Sequence, residues 1–190
     1  MKQSHVRLKD IVANEQLTQS VPSSRKYEKS PEQGYLKGMF ALLRRYSVSP
    51  IEDQLRLWDR IVFDCLIGNT DAHLKNFSLI YGRDGRGIRL SPAYDLVSTC
   101  VYESSTREMA FHIGGEYDIR KVSEDHFRTM AREVGLGEKM ALRRLERIRK
   151  RFLSALKEAS EDLQARGFER AGWLADRIRE ESGSRPLVSA

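Results

Sequence analysis

Two stretches decide how this chain is read: Leu66 to Ser78, LIGNTDAHLKNFS, and Leu90 to Thr99, LSPAYDLVST. The first leaves an apolar helical pattern at Gly68 and passes through the polar run Asn69, Thr70, Asp71, Ala72, His73, Leu74, Lys75, Asn76. It then re-enters an alternating pattern at Phe77, Leu79 and Tyr81, which predicts a helix end, a loop and a strand. Gly82 to Gly87 reads as a turn and Ile88 to Leu90 as a short return strand, so the hairpin is expected to bring Asp95 back beside the Asp71 loop. Two carboxylates, an amide, an imidazole and an ammonium then share neighbouring strand ends. Such a set suits phosphate and a divalent cation. Mg²⁺ takes hard oxygen ligands and keeps several waters, so Asn76 and Asp95 with nucleotide phosphates would suffice to hold it. A hydroxyl attacking a phosphoryl group needs a carboxylate to orient it and accept its proton, and Asp71 fits that role.

The spacing sharpens the assignment, because the catalytic-loop Asp of protein kinases precedes the metal-binding Asn by five residues, as Asp71 precedes Asn76 here. Asx residues also cap helices and close turns routinely, and Asp-x4-Asn alone carries little weight. The helix before it and the hairpin with a second Asp after it supply the specificity. A transition-metal reading of Asp71, His73 and Asp95 lacks a second histidine to complete the set. His5, His112 and His126 read as ordinary surface or core residues.

Working outward, Tyr35 to Tyr46 carries apolar residues at helical spacing with Arg44 and Arg45 at its C-terminal end. A second helix starts with Ser49 as cap, Pro50 at the first position and Glu52 and Asp53 in the first turn. Its stripe Leu55, Trp58, Val62, Cys65, Leu66, widened by Ile61 and Phe63, predicts a mostly buried helix. Downstream, Ser123 caps a helix that stops at Gly135, and a long helix runs from about Glu138 to Ala165 with one apolar seam. Residues 1–34 read as an irregular arm, residues 35–179 as the folded lobe, and residues 180–190 as a frayed tail. The fold class is mainly α with a small β-hairpin.

At 190 residues, 40% hydrophobic and 32% charged, the chain can bury one core and is neither disordered nor long enough for two independent domains. No apolar run reaches membrane-spanning length, and no secretory block opens the chain, so a cytoplasmic setting without membrane contact is expected. Cys65 and Cys100 lack CxxC or Cys/His spacing and read as buried free thiols. The net charge of +6 comes from Lys139 to Arg151, which holds seven bases against one acid. A cationic helix face is often only solvated, but it can also bind nucleic acid or an acidic partner.

The stretches LIGNTDAHLKNFS and LSPAYDLVST resemble the signature segments of HipA-type serine/threonine kinases, the toxins of bacterial toxin-antitoxin modules. The likeness extends more loosely through Pro22 to Glu28 (PSSRKYE) and Tyr35 to Arg45 and into the downstream helices, covering most of residues 20–160. It implies a protein-kinase-like C-terminal lobe, with ATP and Mg²⁺ as cofactors and a protein Ser/Thr acceptor. It also implies Asp71 as catalytic base, Asn76 and Asp95 as Mg²⁺ ligands, and His73, Leu74, Lys75, Asn76, Tyr94 and Asp95 along the nucleotide. Its further implications are translation-related substrates such as aminoacyl-tRNA synthetases, a HipB-like antitoxin, and nucleic acid met directly or through that antitoxin. The chain departs from a kinase in lacking a glycine-rich phosphate loop and a phosphate-holding lysine upstream of Asp71. Three explanations of this departure stay open: a fragment, a degenerate gene product, or a split protein completed by a separately encoded N-terminal lobe. The alternative is a catalytically silent lobe that binds an antitoxin or nucleic acid, with the Arg143 to Arg151 face as its contact.

Overall fold

The computed structural model describes residues 5–7, 26–81 and 87–189. Helix α1 is Tyr35–Tyr46 and helix α2 is Pro50–Ile67. A 3-10 turn at Leu74–Asn76 leads into β2, Ser78–Tyr81, which pairs antiparallel with β3, Ile88–Leu90. A second antiparallel pair follows, β4 (Glu108–Ile113) with β5 (Glu116–Asp118). Helices α3 (Glu124–Glu133), α4 (Glu138–Ala165), α5 (Ala171–Gly183) and the short α6 (Pro186–Ser189) complete the chain. The expected α-rich lobe with a small hairpin is what forms, and most of the turn Gly82 to Gly87 lies outside the described residues.

Helix α2 is the spine. It packs on α1, α4 and α5 and touches β3, and Leu57, Trp58, Ile61, Val62 and Leu66 are almost fully enclosed. Each such side chain contributes roughly 1.5–3 kcal/mol when removed from water. Trp58 meets Phe127 of α3 edge-on at 5.6 Å between ring centroids, and Phe77 at the strand entrance meets Phe111 of β4 at 6.0 Å. One core therefore joins both strand pairs to the helices.

The N-terminal end of α2 fixes the hairpin. Asp53 is fully buried, and its carboxylate accepts from the Ser47 hydroxyl (2.6 Å), the Leu90 amide (2.9 Å) and Arg89 Nε (2.9 Å). Burial pushes the Asp53 carboxyl up, but Arg89, Ser47 and the Leu90 amide together hold it below the ordinary range. Strand β3 is thus pinned to the start of α2, and residues 91–95 are aimed back toward the other end of that helix.

Two expectations need correction, and one strand pair was not foreseen. Residues 1–34 are not uniformly irregular: His5–Arg7 forms β1, paired antiparallel with Ser78–Ile80 of β2, and Pro31–Gln33 is a 3-10 turn; most of the remaining arm lies outside the described residues. The tail is not frayed after Arg179, because α5 continues to Gly183, and Ser182, Arg185 and Leu187 are buried. An apolar and a cationic anchor override the polar, glycine-containing composition there. The β4 and β5 pair was not read from the sequence: Met109 to Ile113 is buried on both faces although it carries the polar His112, so its burial does not follow an apolar and polar alternation. Both cysteines are buried free thiols, as expected.

Gly68 closes α2 in the left-handed region at φ +79°, where an added Cβ would lie 2.8 Å from Cys100 Cβ and 2.6 Å from an Arg185 guanidinium nitrogen. Gly68→Ala is therefore expected to cost about 1–3 kcal/mol from backbone strain alone, measured as a lower urea midpoint. An unchanged midpoint would show that the turn is not held as described.

Candidate active site

The Asp71 loop is built from the C-terminal end of α2. The Gly68 carbonyl accepts from the amides of Thr99 and Cys100, each at 3.0 Å, and from the Thr99 hydroxyl at 2.9 Å. Thr99 Oγ1 in turn accepts from the Thr70 amide at 2.9 Å and meets Thr70 Oγ1 at 2.7 Å. Asp71 then sits one residue beyond this knot, and its carbonyl accepts from the His73 amide at 2.7 Å and Asn76 Nδ2 at 3.1 Å. Base candidate and amide ligand candidate are thus tied within one turn. With Nδ2 committed, Asn76 Oδ1 accepts from no described residue.

The Asp95 loop is tied to the same place. Asn69 Nδ2 donates to Asp64 Oδ1 at 2.8 Å and to the Asp95 carbonyl at 3.3 Å. The Tyr94 hydroxyl meets Ser78 Oγ at 2.6 Å and donates to the Lys75 carbonyl at 3.1 Å. Arg60 donates to the Tyr94 carbonyl at 2.7 Å and lies over the rings of Phe77 (4.3 Å) and Tyr94 (5.4 Å). Asp95 itself has φ +56°, and it alone among the described non-glycine residues is positive. Such a conformation costs on the order of 1 kcal/mol and persists where surroundings over-determine it. The contacts to Tyr94 and Asp95 carbonyls do so here, and they leave the exposed Asp95 carboxylate without a hydrogen bond or ion pair to a described residue.

Asp71 is half-exposed. Its Oδ1 accepts from the Tyr27 hydroxyl at 2.6 Å and faces Lys26 Nζ at 3.8 Å, while Oδ2 is bonded to no described residue. The carboxylate opens onto a cleft of about 500 Å³ whose walls include Tyr27, Thr70, Thr99, Ser105 and Thr106. Lys26 to Glu28 are held in place by buried Glu28, whose carboxylate accepts from the Tyr35, His112 and Tyr117 donors and whose amide donates to the Ala110 carbonyl.

The expected nucleotide-lining residues divide. Tyr94 and Asp95 are exposed, and Lys75 is half-buried with no ion pair to a described residue. His73 is buried edge-on to Tyr27, 5.7 Å between ring centroids; burial first, then the nearby Lys26 charge, lowers its pKa, so it is neutral at neutral pH. Leu74 is 2% exposed and belongs to the hydrophobic core, so its side chain does not line a site. No cluster of three or more His, Cys, Asp or Glu able to hold a metal occurs among the described residues. The available donor set is one carboxylate and one amide oxygen, which suits Mg²⁺ carried with phosphates and water rather than Zn²⁺.

Sequence reasoning missed Tyr27, Arg60 and Asp64. Arg60 and Asp64 carried a readable signal, a charged pair four residues apart on the buried face of an apolar helix. Tyr27 carried none beyond its place in PSSRKYE.

The fold is that of the helical lobe of a kinase-like protein. The chain matches the family model of the HipA-like C-terminal domain over residues 7–156, and it belongs to that family. It is 37% identical over 126 residues to "Putative kinase Y4mE" of Sinorhizobium fredii, covering 66% of this chain and 30% of that protein. It is 32% identical over 114 residues to the serine/threonine-protein kinase toxin HipA of Shewanella oneidensis, covering 60% of this chain and 25% of the toxin. The matched stretches therefore cover less than a third of the length of these relatives. The HipA, HipB and operator DNA complex of Shewanella oneidensis MR-1 contains a chain that superposes with a TM-score of 0.65 at 22% identity, covering 88% of this chain and 43% of its own. No helix among the described residues is long and apolar enough to cross a membrane.

Burial pushes the Asp64 carboxyl up to about 6, against the pull of the Asn69 amide and the Arg60 guanidinium. A carboxyl raised in the fold favours folding when protonated, so its contribution falls as pH rises from about 4 to about 6 and stays low above that. The unfolding free energy of wild type minus that of Asp64→Asn should decline across this window. A difference independent of pH would contradict the raised carboxyl.

Proposed function

We propose that this chain is the catalytic lobe of a HipA-like serine/threonine kinase that uses ATP and Mg²⁺. The observation that carries the reading is the Asn76 Nδ2 bond to the Asp71 carbonyl. It fixes the base candidate relative to one metal-ligand candidate, while the tied Tyr94 and Asp95 loop presents the other. Asp71 Oδ2 would accept the hydrogen of an acceptor hydroxyl entering from the cleft, orient its oxygen and take its proton as the phosphoryl group is transferred. Tyr27 and Lys26, both on Oδ1, hold the carboxylate in that orientation. Asn76 Oδ1 and Asp95 would hold Mg²⁺, which when bound neutralises phosphate charge. Positioning and charge neutralisation supply the rate in this kind of transfer.

The phosphate-covering loop and lysine would come from an N-terminal lobe, in keeping with relatives of which the matched stretch covers only 25% to 30%. The exposed apolar side chains Tyr94, Leu96 and Val97 beside Asp95 are suited to being covered by it. A HipB-like antitoxin and operator DNA are proposed partners through the likeness to the Shewanella complex, and a translation-related protein is the proposed substrate class. A cytoplasmic setting accords with this reading. The second reading, a silent lobe that only binds partners, is favoured by the exposed Arg143, Arg147 and Arg151 on α4.

Transfer of label from γ-labelled ATP to bacterial proteins is the test, measured on the chain joined by its completing lobe. Asp71→Asn should reduce transfer by about 10²–10⁴-fold with an unchanged unfolding midpoint. Transfer retained in that variant would overturn the assignment of Asp71.

A further inference from the structure

The bases of α4 fall into two sets. Arg144 is paired with Asp59 of α2, and Arg149 and Lys150 with Glu146. Arg143, Arg147 and Arg151 are exposed and make no ion pair or side-chain hydrogen bond among the described residues. These three recur every four residues, and the row continues as Ala155 and Ala159, also exposed. A four-residue row is the ridge that a second helix packs against, and small side chains on it admit a close approach. No helix among the described residues occupies it.

Beside the row runs a groove of about 590 Å³ between α2 and α4, sharing no lining residue with the Asp71 cleft. Its floor and walls include Phe63, Ile148, Phe152 and Leu156, and Arg147 and Arg151 stand on its edge. Phe63 remains 37% exposed although it meets Phe152 edge-on. Arg147 also borders a neighbouring hollow with Met140 and Arg143, so the charged row leads directly into the apolar trough.

We propose that this groove docks an acidic amphipathic helix of a partner protein. The apolar face of such a helix would cover Phe63, Phe152 and Leu156, and acidic side chains beside it would meet Arg143, Arg147 and Arg151. Charge complementarity selects this occupant. The row has cations that no described residue pairs, and an acidic helix answers both these and the carbon surface. A nucleic-acid duplex would answer the cations through its phosphates but has no apolar face to bury against the rings and Leu156. A second copy seated through this same face would bring like charges against the row. The site is independent of phosphoryl transfer.

The test is fluorescence anisotropy of the full chain with a labelled synthetic helix of about 18 residues, with Leu and Phe at i, i+3, i+4, i+7 spacing and Glu along the flank. A labelled DNA duplex is the second probe, and sedimentation reports self-association. Saturable binding of the peptide is expected, weakened about tenfold or more by the Arg147→Glu and Arg151→Glu pair and by raised salt. Ala155→Glu should weaken it likewise, and Lys150→Ala, which removes a paired base, should change it less than about twofold. The proposal is overturned by any of three results: no saturation below about 1 mM peptide, binding indifferent to the Arg147 and Arg151 reversals, or a duplex or second copy bound through these arginines in preference to the peptide.

Discussion

The Gly68 carbonyl and the Thr99 hydroxyl form the knot on which the site depends. An α-helix leaves its last carbonyls without intrahelical partners, and here the turn that ends α2 uses one of them to hold a segment 31 residues away. Because Gly68 adopts a left-handed conformation, its carbonyl accepts two amides and a hydroxyl from Thr99 and Cys100. The same Thr99 hydroxyl then receives both donors of Thr70. Asp71 and the segment following Asp95 are thereby fixed relative to each other with no side chain of the proposed chemistry used as a strut. Arg185 reinforces this from the C-terminal end, donating to the Cys65 carbonyl at 2.9 Å beneath the turn.

Behind the knot lies a buried charged layer. Arg60 and Asp64 are 6% and 4% exposed, with closest approach of 3.7 Å between Arg60 Nε and Asp64 Oδ2. Breaking a buried pair typically costs about 3–5 kcal/mol, whereas an apolar replacement is often neutral, so such a pair is weak evidence of stability design. Its geometry suggests another use. Arg60 holds the Tyr94 carbonyl and, through Asn69, Asp64 is linked to the Asp95 carbonyl. Both charges hold the backbone of the loop that keeps Asp95 in its left-handed conformation.

Much of this was readable in the residues. Pro50 and the left-handed Gly68 bound α2, and Tyr35–Tyr46 and Glu138–Ala165 follow their apolar periodicity, because local patterning and backbone preference dominate in these segments. The Asp71 and Asn76 spacing and the hairpin return placed the candidate site. What stayed hidden depends on contacts distant in sequence. Tyr27 reaches Asp71 across 44 positions, and Arg185 reaches Cys65 across 120. Leu74 could not be assigned to the core from its polar neighbours, since a single 3-10 turn at Leu74–Asn76 decides which way it points.

The central claim is that Asn76 and Asp95 together hold a metal-nucleotide. Calorimetric titration of Mg-ATP into the chain, repeated with Asp95→Asn and Asn76→Ala, tests it without knowledge of the acceptor protein. The account predicts Mg²⁺-dependent binding to wild type that each substitution weakens by about tenfold or more. Binding of equal strength in all three proteins would contradict it, as would binding indifferent to Mg²⁺.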